Sequence, residues 1–137
     1  MTDSNDRIVE RTFEHLASRD WHAFGALLSP DVARIGPFGE RVFGRGAYVE
    51  LMSRGTPGSG DGTQRTTWDV HRVVYARDRR SAFARVTAHV PRSGRELRIE
   101  QTLAYELEAN GLIARIEVYW RDPRGRPSQV ERSTTSD

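Results

Sequence analysis

Cysteine and lysine are both absent from this chain of 137 residues. The first absence rules out disulfides, a thiol nucleophile and cysteine metal sites; the second rules out a lysine Schiff base or lysine general base. No apolar run approaches membrane-spanning length, and Met1 to Asp6 lack the basic and apolar regions of a signal peptide, so a cytoplasmic protein without membrane contact is expected. The four histidines carry no metal-ligand spacing, no H-E-x-x-H is present, and no Gly-rich phosphate cradle lies between a strand and a helix. Neither a metal nor any other cofactor is expected. All 21 basic residues are arginines, 19 acids offset them, and the formal charge is +2. The two signs are interspersed rather than gathered into a basic patch with stacking aromatics, which argues against nucleic-acid binding.

What is present is a strong pattern at the C-terminal end. Two alternating runs between Leu97 and Trp120 flank Asn110-Gly111, a pair that favours a two-residue hairpin loop with φ > 0 at both positions. Such a loop sets Ala109 opposite Leu112, Leu107 opposite Ala114, Tyr105 opposite Ile116, Leu103 opposite Val118 and Gln101 opposite Trp120 on one face. The other face then pairs Glu106 with Arg115 and Glu100 with Arg121. A slip of one residue would break the apolar stripe and both charge pairs together. Gln101 is the polar member of that stripe and so marks a candidate site.

Upstream, Asp6 to Ser18 has the spacing of an amphipathic helix, with Asp3 or Ser4 as its cap. Asp20 caps a second short helix that Pro30-Asp31 ends, and Gly46 to Arg54 forms a third. Val32 to Ile35 and Arg41 to Phe43 are short strands around the turn Gly36-Pro37-Phe38-Gly39, while Thr66 to Ala76 and Ala82 to Val90 are long ones. The glycine-rich segment 55–64 is a connector or a lid. Residues 1–5 and 123–137 have too few apolar groups to order themselves, leaving one domain over 6–122. The expected fold is α+β, with a curved antiparallel sheet wrapped over three N-terminal helices into a cone with an internal pocket.

The stretches Val9 to Phe13, Trp21 to Phe24, Gly36 to Gly39, Gly44 to Tyr48, Gly111 to Arg115 and Tyr119 to Pro123, in this order of elements, resemble the SnoaL-like branch of the nuclear transport factor 2-like superfamily. The resemblance covers about residues 6 to 123 and includes polyketide cyclases, ketosteroid isomerases, limonene epoxide hydrolases and proteins that only bind ligands. Carried over residue by residue, it implies that several family acids are missing. The isomerase oxyanion-hole tyrosine falls on Thr12, the general-base aspartate on Gly36 and the protonated second aspartate on Gln101. The epoxide hydrolase Arg-x-Asp pair falls on Arg85-Val86-Thr87 and its further aspartate on Val118, so only the arginine survives. The cyclase acid of the last strand is likewise replaced, with Val118 and Trp120 in the inward positions and Asp122 beyond the strand end.

By the same resemblance Arg85, Thr87 and His89 point into the pocket, with Gln101, Leu103, Ile116, Val118 and Trp120. Thr12, Leu28, Phe38, Met52, Trp68 and Val70 supply its walls, and Tyr48 stands near its mouth. Arg85 would stabilise a developing enolate, His89 would move the proton and Gln101 would orient the substrate. The alternation also permits the opposite face for Arg85, with Ala82, Ala84, Val86, Ala88 and Val90 inside. Two functional readings follow. One is a small hydrophobic or aromatic metabolite undergoing a cofactor-free cyclisation, isomerisation or dehydration; the other is a non-catalytic ligand-binding or accessory protein that has lost the family acids. A homodimer through the outer sheet face is implied by resemblance as well.

Overall fold

The computed structural model describes residues 6–54, 66–92 and 94–121. The proposed caps Asp3 and Ser4, the 55–64 loop and the 1–5 and 123–137 termini lie outside them, as does Asp122. Helix α1 (Ile8–Ser18) buries Ile8, Val9, Thr12, Phe13 and Leu16, one stripe of a 3.6-residue repeat. It ends where Arg19 turns left-handed at φ 60° and its amide, with that of Asp20, closes onto the last carbonyls of the helix. Asp20 then opens α2 (Trp21–Ala26), its carboxylate accepting from the Ala23 amide at 3.1 Å.

Pro30 and Asp31 do not end α2, as the sequence suggests; they sit inside β1 (Leu28–Ile35), at the register shift between Leu28 and Ala33. Proline has no N–H to give a ladder, so an irregular stretch of strand accommodates it. Strand β2 (Arg41–Phe43) pairs with β1, and α3 (Arg45–Ser53) follows it. Four strands complete the chain: β3 (Thr67–Tyr75), β4 (Ser81–Arg92), β5 (Arg95–Leu107) and β6 (Ile113–Arg121). They form one open sheet in the order β2-β1-β6-β5-β4-β3. The sheet is not wholly antiparallel, because β1 runs parallel to β6.

The C-terminal hairpin keeps the expected pairs Gln101/Trp120, Leu103/Val118, Tyr105/Ile116, Glu100/Arg121 and Glu106/Arg115. Its turn differs. Glu108 and Leu112 close a three-residue loop, the Gly111 amide donates to Glu108 O at 2.8 Å, and only Gly111 has positive φ, at 91°. This is a type I turn with a glycine bulge, one residue longer than the expected loop. A second irregularity sets Leu107 opposite Ile113 instead of Ala114. The two one-residue departures cancel, and the inward stripe is preserved.

Register and burial together define the inner face of the sheet. Its deepest row runs Tyr75, Ala82, Tyr105, Ile116 and Arg34; the next is Val73, Ala84, Leu103 and Val118; then Val86, Gln101 and Trp120, with Val70 opposite Val86 but exposed beside a register shift; then Trp68, Ala88 and Ile99. Along β4 the inward residues are small, and Ala82, Ala84 and Val86 share one core cluster with Ile8, Val9 and Phe13 of α1. The backbone of the helix comes closest to β3, and the small β4 side chains leave room for its apolar stripe. Tyr75 fixes its start, accepting from the Val9 amide at 3.0 Å and donating to Glu10 at 2.6 Å.

Candidate functional site

Between the helices and the inner face lies a cavity of about 410 Å³. Its walls are mainly apolar: Phe13, Leu16 and Thr12 from α1, Phe24 from α2, Leu51 and Met52 from α3, and Leu103, Ile116 and Val118 from the sheet. Trp68, Ala88, Ile99 and Trp120 continue them toward the mouth, where Phe38 meets Trp120 edge-to-face at 5.0 Å between centroids. Phe38 is 49% exposed, so it stands at the rim. Of the residues expected in the pocket, Thr12, Phe38, Tyr48, Met52, Trp68, Gln101, Leu103, Ile116, Val118 and Trp120 all line it. Leu28 and Val70 do not. Thr12 spends its hydroxyl proton on Val9 O at 2.6 Å.

The expected inward placement of Arg85, Thr87 and His89 is corrected by the structure. On β4 the even-numbered residues Ala82 to Val90 are buried inward, and the odd-numbered ones occupy the outer face. Arg85 is exposed there, opposite Thr102. Thr87 is buried, but in an outer-face network: its hydroxyl donates to Glu100 at 3.2 Å and meets His71 Nε2 at 2.7 Å. His89 is clasped by two carboxylates, Glu96 at Nδ1 and Asp69 at Nε2, each at 2.7 Å. Those two hydrogen bonds, Glu96 first, raise its pKa and favour the imidazolium. A ring so held cannot take a proton from anything in the cavity. The trio Arg85, His89 and Gln101 is therefore not assembled; only Gln101 faces the hollow.

Three polar groups that the sequence reading passed over, or placed elsewhere, gather at the deep end. Arg34 enters from β1, beside Ile116 of β6. Its guanidinium lies 6.0 Å from the centroid of the Tyr48 ring. Tyr48, from α3, is 5% exposed and belongs to this deep end, not to the mouth. Burial pushes its pKa up, and the nearby charge and hydrogen bonding of Arg34 offset part of the rise. Tyr105 is 3% exposed, and burial pushes its hydroxyl well above the usual phenol range, with Tyr48 and Tyr75 adding to the shift and Arg34 opposing it. Both phenols thus remain protonated donors at neutral pH.

The mouth carries a carboxylate as well. Glu40 lines the cavity, and its Oε1 accepts from the Phe38 amide at 2.9 Å. Its side chain folds back over Gly36, so that a Cβ at position 36 would collide with the Glu40 carboxylate. The Gly36 amide donates to Glu40 O at 2.7 Å, which ties the turn shut. The cavity therefore holds a cation and two phenols, a carboxylate two register positions along the same β1/β2 hairpin from Arg34, and the Gln101 amide, set in mainly apolar walls.

Comparison with known proteins agrees with this geometry at the level of fold. A family model described as a SnoaL-like domain matches residues 9–116. Among solved structures, a provisional ketosteroid isomerase from Kribbella flavida DSM 17836 is 26% identical, with 91% of this chain and 83% of that one covered and a TM-score of 0.71. The epoxide hydrolase/cyclase-like enzyme SalBIII, which has a role in pyran ring formation in the polyether salinomycin, is 18% identical over 86% of this chain and 91% of its own, at a TM-score of 0.71. A Mycobacterium tuberculosis protein solved in complex with estradiol-17beta-hemisuccinate is 17% identical, covering 85% and 92%, at 0.70. No curated protein sequence matches significantly.

Proposed function

Since the chain belongs to the SnoaL-like domain family, we propose that its cavity binds a small, largely apolar metabolite bearing a ring and at least one oxygen. The observation that carries this reading is the lining, mainly apolar and aromatic side chains with a few polar ones among them, Arg34, Glu40, Tyr48, Gln101 and Tyr105. A volume of about 410 Å³ falls within the range of pockets that enclose small organic ligands. The test uses 2-tetralone, a neutral bicyclic ketone, titrated by calorimetry. Binding is expected in the parent and absent in Val118→Trp, whose larger side chain fills the hollow. Equal affinity in the two proteins, with the fold intact, would rule the reading out.

The position of Glu40 favours a second, catalytic reading. Its carboxylate occupies the space above Gly36 and borders the cavity, a suitable place for taking a proton from carbon. With the ketone oxygen toward Arg34 and Tyr48, the C–H proton passes to Glu40, the bond pair moves to oxygen, and return of the proton completes an isomerisation or sets up a cyclisation. Exchange of the 2-tetralone α-protons in D2O, followed by NMR, reads this step directly. The parent accelerates exchange, whereas Glu40→Gln and Gly36→Ala both lose most of that acceleration while still binding. Exchange no faster than in buffer would leave the protein a binder, as the outward Arg85 and His89 suggest. A homodimer through the outer sheet face belongs to the same proposal, supported by Phe43, Val74 and Phe83, which are 62%, 44% and 52% exposed.

A further inference from the structure

Arg34 is an unusual residue for its place. It lies on the inner face of β1, half-buried, in the row that also holds Ile116 and Tyr105. Among the described residues no carboxylate forms an ion pair with it. Glu40, the carboxylate that lines the cavity, is held at the mouth by the Phe38 amide. A cation drawn out of water without an anion beside it is expensive to keep, and the cost falls when a ligand supplies the missing charge.

Tyr105 gives an independent indication. Its side chain is more than nine-tenths buried and lines the cavity, yet its hydroxyl makes no hydrogen bond to another described residue. The hydroxyl opens on the hollow with its proton uncommitted, where a ligand oxygen can accept it. Tyr48 stands beside the same guanidinium. Arg34 already donates to the Tyr48 oxygen, and the remaining guanidinium N–H groups and the two phenol protons converge on one end of the hollow as donors toward a ligand.

We propose that this end of the cavity, Arg34 with Tyr48 and Tyr105, is an oxyanion site, and that the ligand is a ring compound carrying a carboxylate or another ionised oxygen. The proposal rests on the ligand-binding reading above and narrows it from small apolar molecules to small apolar anions. The anionic end seats deep, against the guanidinium, and the rings lie along Leu103, Val118 and Trp120 toward the mouth. The same donors would hold an enolate formed by proton transfer to Glu40, so binding and catalysis would use one polarity.

A matched pair of probes separates the outcomes: 2-naphthoate, and 2-naphthamide of the same shape without the charge. In the parent protein 2-naphthoate is expected to bind about tenfold tighter or more, the advantage of a charge-assisted pair in a partly desolvated site. Arg34→Met should abolish that preference while the amide still binds, and Tyr105→Phe should weaken the naphthoate severalfold with a smaller effect on the amide. Denaturant midpoints of both variants establish that they fold; the comparison of the two probes on the parent needs no variant at all. Equal binding of the pair, or a preference that survives Arg34→Met, overturns the oxyanion site and leaves the ligand-binding reading standing. Binding of neither probe overturns both.

Discussion

Both ring nitrogens of His89 face carboxylates at 2.7 Å, and this has a consequence for pH. Its folded pKa lies above the ordinary 6.5, so the fold favours the protonated ring. The resulting stabilisation is fully present below about pH 6.5 and is lost as pH rises through the folded value. Asp69 and Glu96 are 65% and 57% exposed, so solvent screening holds the effect under about 1 kcal/mol. Thermal unfolding should show the parent losing stability between pH 6 and 9 relative to His89→Gln; parallel curves for the two proteins would contradict the clasp. At this scale the sequence was a poor guide. The inward residues of β4 are mostly alanines, a weak burial signal, and an apparent match to an Arg-x-Asp pair turned Arg85, Thr87 and His89 the wrong way. Arg34 inverts the usual rule: it faces the cavity while its neighbour Ile35 lies on the outer face. Only closure of the sheet over the helices makes that arrangement reasonable, and no local pattern announces it.

Among the elements, the C-terminal hairpin was the most legible, because two alternating runs and two charge pairs agree on one register. The loop itself was misjudged by one residue. Asn-Gly suits a two-residue turn, but here Asn110 keeps negative φ and uses its Oδ1 to accept from the Leu112 amide at 3.0 Å. Gly111 alone carries the left-handed conformation, at φ 91°. Gly111→Ala should therefore cost about 1 kcal/mol, visible as a lower denaturation midpoint, whereas Asn110→Gly should change stability by less. If the alanine variant were as stable as the parent, the glycine bulge would not be what closes this loop. The helices were also readable: Asp20 caps α2 as its position suggests. The end of α2 was not, because a proline can interrupt a strand as readily as it stops a helix.

For the whole molecule, helices followed by a long meander were enough to anticipate a sheet wrapped over a helical layer. The parallel β1/β6 pairing escaped, since it joins segments far apart in the chain. It is also the pairing that brings Arg34 beside Ile116 and so completes the deep end of the cavity. The opposite surface of the sheet sets a prediction of its own. If Phe43, Val74 and Phe83 are covered by a second copy, the parent sediments as a dimer and Phe83→Glu shifts it toward monomer. A parent that remains monomeric at high concentration would remove that assembly.

The tryptophans are divided between two environments. Trp68 and Trp120 line the cavity, while Trp21 of α2 is outside its lining, behind Phe24 and under the Arg19 guanidinium. Two of the three indoles would thus be quenched or blue-shifted by a ligand that touches them, and the third, one ring removed, would respond less. The protein carries its own optical gauge of occupancy, one able to screen compounds by intrinsic emission with no label attached.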